Sequence, residues 1–309
     1  MKAPLRATLA AAALVGCSSA SGGTTGSAPD GSDAGEAAEA RTAGSSAARR
    51  ADARTATGFA RLAGEITQGG WLRGTAPGGA VRVLLGGEAL PLAPDGAFFA
   101  AFDRDAAEQV ELVAELASGR AITERLAIAP RDWQIEHVNV ARRPGGASAS
   151  FMERRRPELA RIDAARSLDH EVDGWRQPFI WPVKGRISGR FGAQRVYQGE
   201  PASYHSGIDI ATGTSGTPFV APADGVVTLA AETPFSLEGH LLIIDHGNGL
   251  NSAFLHCSRL AVREGEVVRQ GQHIGDIGAS GRASGPHLHW SLKWRDARLD
   301  PLLFTGPMN

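Results

Sequence analysis

The chain has 309 residues, 42% hydrophobic and 21% charged, a composition that suits a soluble globular protein of one or two domains. Its 32 basic and 33 acidic residues leave a formal net charge of −1, so the basic excess expected of a nucleic-acid binder is absent. Aromatics are sparse and glycine occurs 39 times, which favours short strands joined by tight turns over long helices.

Lys2 and Arg6 precede an apolar run from Ala7 to Val15. A bilayer span needs about 20 residues, so this run reads as the core of a secretory signal covering residues 1–16. It ends in Leu14-Val15-Gly16-Cys17, which resembles the lipobox of bacterial lipoproteins. The resemblance implies that Cys17 carries lipid and begins the mature chain; the alternative is an ordinary signal peptide ending near a cysteine. Residues 17–57 are rich in Ser, Gly, Ala and Thr and nearly devoid of large apolar side chains, so they read as a disordered tether. Lipid anchoring in the cell envelope follows, and Ser18 points to the periplasmic face of an outer membrane.

Residues 58–145 read as a small β-sandwich-like domain. Apolar segments at Val81–Leu85, Phe98–Phe102 and Val110–Val113 are separated by turn signals such as Gly69-Gly70, Pro77-Gly78-Gly79, Asp95-Gly96 and Ser118-Gly119. This region shows no catalytic constellation; His137 stands alone and reads as an edge or surface residue, and the domain as a spacer, lid or docking module. Residues 146–177 read as a helical linker in which Leu159, Ile162, Ala165 and Leu168 recur every three positions. Arg154-Arg155-Arg156 reads as its solvated face.

From residue 178 to 309 the texture is again strand and glycine turn, and four segments carry histidines: Tyr204-His205-Ser206-Gly207-Ile208-Asp209, Leu241 to Gly249, Ala253-Phe254-Leu255-His256, and Gly285-Pro286-His287-Leu288-His289. In a strand, residues two apart share a face, so His287 and His289 project together while Leu288 points into apolar packing. His205 and Asp209 are also evenly spaced, but four extended residues reach about 13 Å, too far for one ion. A bend at Ser206-Gly207, where glycine tolerates unusual backbone angles, could close that distance. Imidazole nitrogens with a carboxylate oxygen suit zinc, and a catalytic zinc site keeps about three protein ligands. His205, Asp209, His256, His287 and His289 are therefore more candidates than one ion needs, and spacing does not divide them into ligands and catalytic groups.

In their order, His-Ser-Gly-Ile-Asp, Phe-Leu-His and Gly-Pro-His-Leu-His resemble the lysostaphin-type, or LytM-type, zinc metallopeptidases. Trp181-Pro182-Val183, Gly189-Arg190-Phe191-Gly192, Gly265 to Gln272, Ile274-Gly275 and Gly278-Ala279-Ser280-Gly281 extend the resemblance over about residues 178–295. It implies an all-β, mainly antiparallel catalytic domain, Zn2+ as cofactor and peptidoglycan as substrate, cut in cross-links or stem peptides. It further implies that His205, Asp209 and His289 bind the metal and that His256 and His287 are catalytic. The expected enzyme is a zinc-dependent metalloendopeptidase; a non-catalytic activator or adaptor of other cell-wall hydrolases is the alternative, because some family relatives have lost ligands. No partner pattern marks His170, His240 or His273; His246 reads as structural and Cys257 as a small buried hydrophobe. Arg190 and Arg195 could meet stem-peptide carboxylates or simply face solvent.

Overall fold

The computed structural model describes residues 58–140 and 148–308, so the lipobox, Cys17 and the expected tether lie outside the described residues. The architecture is all-β and mainly antiparallel. The first half comprises β1 (Ala60–Glu65), β2 (Trp71–Thr75), β3 (Ala80–Leu85), β4 (Glu88–Leu90), β5 (Ala97–Ala101), β6 (Gln109–Leu116), β7 (Ala121–Ala127) and β8 (Ile135–Val138). One sheet has the order β1-β2-β5 and another the order β4-β3-β6-β7. Along β2 exposure alternates with period two, which puts Leu72 inward. Leu72, Phe98 and Phe99 from the first sheet share a buried cluster with Val83, Leu112 and Leu126 from the second.

Helix α1 (Ala149–Arg166) follows, capped where Ser148 Oγ accepts the Phe151 N–H at 3.1 Å. Ile162 and Ala165 pack on Leu229, Leu241 and Ile243, but Leu159 and Leu168 are exposed. A step of three residues turns only about 300°, so a stripe repeating every three winds away from its contact. Nor is the arginine run a uniformly solvated face: Arg155 is buried and held by carboxylates. A sequence gives no sign of a salt-bridge partner 83 positions away.

The second half comprises β9 (Arg186–Gly189), β10 (Gln194–Tyr197), β11 (Glu200–Pro201), β12 (Ile208–Ala211), β13 (Pro218–Val220), β14 (Gly225–Ala230), β15 (His240–Asp245), β16 (Leu250–Cys257), β17 (Arg259–Leu260), β18 (Val267–Val268), β19 (His273–Asp276), β20 (Leu288–Trp294), β21 (Ala297–Leu299) and the short α2 (Leu302–Thr305). The main sheet runs β18-β14-β15-β16-β20-β12-β9, with β21 also on β20. Beneath it Trp290 stacks on Phe254, centroids 6.4 Å apart, and meets Trp181 edge-on.

The two halves are not separate beads. Strand β8 lies within the first domain as read from the sequence, yet it pairs in parallel with β10 of the second half, Glu136 opposite Arg195. Trp71 of β2 tilts against Phe304 of α2 at 5.3 Å, and Arg131 binds the buried Asp300 carboxylate at 2.7 Å. Buried residues of both halves belong to one apolar cluster.

Candidate metal centre

The centre is built on three neighbouring strands. Asp209 of β12 is the register partner of His289 on β20, and His289 is that of Leu255 on β16. Directly opposed residues in an antiparallel pair hold their Cβ atoms about 5 Å apart, so Asp209 and His289 are brought side by side by pairing alone. Asp209 Oδ1 lies 2.9 Å from His289 Nδ1. His205 precedes β12, and a bend at Gly207 folds it back: its Nε2 is 3.1 Å from Asp209 Oδ1 and 3.0 Å from His289 Nδ1. Gly207 contributes space rather than an unusual angle, since its φ is not positive. A Cβ there would stand 2.8 Å from His289 Nε2. Gly189, opposite Asp209 on β9, leaves the same kind of room for the carboxylate.

These three atoms, two imidazole nitrogens and one carboxylate oxygen, form a triangle. His205 Nδ1 donates to Arg190 O at 3.0 Å, which leaves Nε2 to face Asp209 and His289. Burial disfavours charge on His205, but the Asp209 hydrogen bond and negative charge outweigh it and raise its pKa. Burial opposes ionisation of Asp209 too, yet His205 and His289 hold its carboxyl far below the usual carboxylate range. In buried His289 the desolvation wins over the Asp209 hydrogen bond and the pKa falls. Two imidazole nitrogens and a carboxylate oxygen within about 3 Å of one another fit a zinc ion with ligand bonds of about 2.0–2.2 Å.

His287 and His256 flank the triangle. His287 Nδ1 donates to Gly285 O at 2.8 Å, and its Nε2 stands 3.7 Å from Asp209 Oδ1. His256 Nδ1 donates to Ser280 O at 2.9 Å, and its ring centroid is 4.9 Å from that of His287. Burial lowers the His256 pKa, with the neighbouring imidazoles adding to the effect. A groove of about 580 Å³ runs past all five side chains; Tyr204, Leu237, Glu238 and Arg282 also line it. Sequence reasoning missed those four. Only Tyr204, beside His205, had a signal in its position. A larger hollow of about 770 Å³ lies between the turns at Ala76–Ala80 and Leu92–Gly96, away from the histidines.

The remaining candidates fall elsewhere. His246 is fully buried: Nδ1 donates to Asp224 O at 2.8 Å and Nε2 accepts from Ser252 Oγ at 2.8 Å. Cys257 is buried in the main core, and burial pushes its thiol pKa up to about 12. His170, His240 and His273 do have partners, namely Asp245, the Ala231 carbonyl and Asp276. His137 is exposed on β8, and Arg195 is engaged by Glu136 at 2.7 Å.

Residues 203–301 match the model of peptidase family M23. Over 131 residues the chain is 36% identical to peptidoglycan DD-endopeptidase ShyA of Vibrio cholerae, covering 41% of this chain and 30% of that protein. It is 33% identical over 138 residues to murein hydrolase activator NlpD of Salmonella typhimurium, covering 45% of this chain and 33% of that one. The match thus spans about a third of each relative's length. A crystal structure from Pseudomonas aeruginosa assigned to peptidase M23 superposes with a TM-score of 0.59 at 27% identity, over 79% of this chain and 96% of that one.

Proposed function

We propose that this protein is a zinc metalloendopeptidase that hydrolyses peptide bonds of peptidoglycan cross-links or stem peptides. The observation that carries the reading is the convergence of His205, Asp209 and His289 at about 3 Å beside two further imidazoles in one groove. His205 Nε2, Asp209 Oδ1 and His289 Nδ1 would hold the ion. Zinc, when bound, supplies Lewis acidity to water and to the scissile carbonyl.

The chain's own groups account for the rest. Backbone carbonyls of Ser280 and Gly285 take the Nδ1 protons of His256 and His287, which fixes both rings and leaves each Nε2 for the groove. His256, neutral at physiological pH because burial lowers its pKa, can take up a proton and return it to the leaving amine. A protonated His287, whose Nε2 stands 3.7 Å from Asp209 Oδ1, is placed to donate Nε2–H to the oxyanion of the tetrahedral stage.

The similarity to NlpD supports a second reading, an activator of other wall hydrolases. The intact ligand triangle favours catalysis. The lipobox-like Leu14-Val15-Gly16-Cys17 supports anchoring in the envelope through Cys17, facing the periplasm from the outer membrane. Replacing Cys17 by Ser should then release the protein from the membrane fraction or block its processing.

The test of function is to incubate the purified chain with purified peptidoglycan, with and without chelator, and to identify released fragments by mass spectrometry. Fragments with newly freed peptide termini, lost in chelator and restored by zinc, are expected. Intact peptidoglycan throughout, with hydrolysis appearing only when a second wall hydrolase is added, would establish the activator instead.

A further inference from the structure

One wall of the groove, formed by Leu237 and Glu238, belongs to the segment 231–239 that links β14 to β15 and lies in neither strand. Helix α1 grips it. Arg155, with only 9% of its side chain exposed, donates Nη1 and Nη2 to the two Glu238 carboxylate oxygens, both at 2.6 Å, and Nη1 also to Glu158 at 2.9 Å. The other Glu158 oxygen accepts the Ser236 N–H and hydroxyl, each at 2.7 Å. A bidentate guanidinium–carboxylate pair fixes orientation as well as distance.

The wall passes this constraint to His256. Glu238 O accepts the His256 N–H at 2.8 Å, and Leu237 O accepts the Arg282 N–H at 2.9 Å. His256 has φ of 66°, a left-handed conformation that a non-glycine residue holds only when its surroundings impose it. Its ring is aimed by Ser280 O, and Ser280 Oγ in turn accepts the His240 N–H at the end of the wall, at 2.9 Å. Attachment of α1 itself does not need Arg155, because Ile162 and Ala165, about two turns further on, already pack on the main sheet.

We propose that Arg155 is a positioning residue for His256: the Arg155–Glu158–Glu238 grip fixes the groove wall and, through it, the backbone and imidazole of His256. The turnover part of this proposal rests on the reading of His256 as a catalytic group; the structural part does not. Losing the grip leaves Glu238 without its counter-ion and frees the wall, and a misplacement of about 1 Å at a reacting group can cost about a hundredfold in rate.

The test uses the zinc-loaded full chain and its Arg155→Met and Arg155→Lys variants, followed by hydrogen exchange with mass spectrometry and by kcat and KM on peptidoglycan fragments. In Arg155→Met, peptides spanning 232–239 and His256 should exchange about tenfold or more faster, while 241–244 stays protected and zinc is retained. kcat should fall about a hundredfold with KM little changed. Arg155→Lys, which keeps the charge without the fork, should fall between the two; it decides the matter if Arg155→Met does not fold. Wild-type exchange at the wall and His256 in the folded variants overturns the proposal, as does loss of protection spread evenly over the main sheet. Should the wild type lack peptidase activity, the exchange result still judges the grip.

Discussion

Asp209 and His289 stand opposite each other on β12 and β20, Oδ1 2.9 Å from Nδ1, and this pair sets the geometry of the whole site. Strand register, not loop conformation, holds them together. His205 is then added by a bend, and His287 by sharing a face with His289 two residues on.

The two histidines flanking Leu288 should have separable roles. His289 completes the triangle with His205 and Asp209, while His287 Nε2 stands 3.7 Å from Asp209 Oδ1 and outside it. His289→Ala should lose both zinc and cleavage. His287→Ala should keep most of its zinc and lose about a hundredfold or more in turnover. Elemental analysis beside cleavage rates checks this; a zinc-free His287→Ala with a metal-loaded His289→Ala would reverse the assignment.

Gly207→Ala tests crowding without the strain of a left-handed φ, because the φ of Gly207 is not positive. The added methyl would meet the Trp290 backbone carbonyl at 2.5 Å, His289 Nε2 at 2.8 Å and Ser291 Cβ at 2.9 Å. We expect zinc affinity to fall about tenfold or more, as for other disturbances of groups that orient a ligand, with a loss of about 1–3 kcal/mol in stability. Zinc competition with a chromophoric chelator and urea unfolding measure the two. Unchanged zinc affinity would show that the His289 ring has slack.

His246 should make the metal-free protein acid-sensitive. Burial pushes its pKa down from 6.5 to about 4, so between those values the unfolded chain binds a proton that the folded chain refuses. This contribution is intact above about pH 6.5 and is lost as pH falls, by about 2 kcal/mol at pH 5. Urea midpoints of wild type and His246→Asn, compared in chelator from pH 7.5 to 5, should converge as pH falls. A constant gap between them would mean that His246 does not carry the acid response.

Local pattern made much of this legible. Alternation placed His287 and His289 on one face and Leu288 in the core, and apolar runs between glycine turns marked β3, β5 and β6. Long-range pairing left no such trace. Nothing near Arg155 announces Glu238, nothing near His170 announces Asp245, and the free edge that β8 takes on β10 lies more than fifty residues further along. Gly189 and Gly207 matter for atoms across the sheet, which periodicity along one strand does not encode.

Zinc content of the purified wild-type chain beside that of Asp209→Ala tests the central claim most directly. Asp209 contacts both His205 and His289, so its loss removes a proposed ligand and the group that draws the two imidazoles together. Elemental analysis after dialysis against trace zinc should find about one zinc per wild-type chain and essentially none in Asp209→Ala, with both proteins folded by circular dichroism. A zinc-free wild type, or an Asp209→Ala protein that holds zinc as tightly as wild type, would contradict the account.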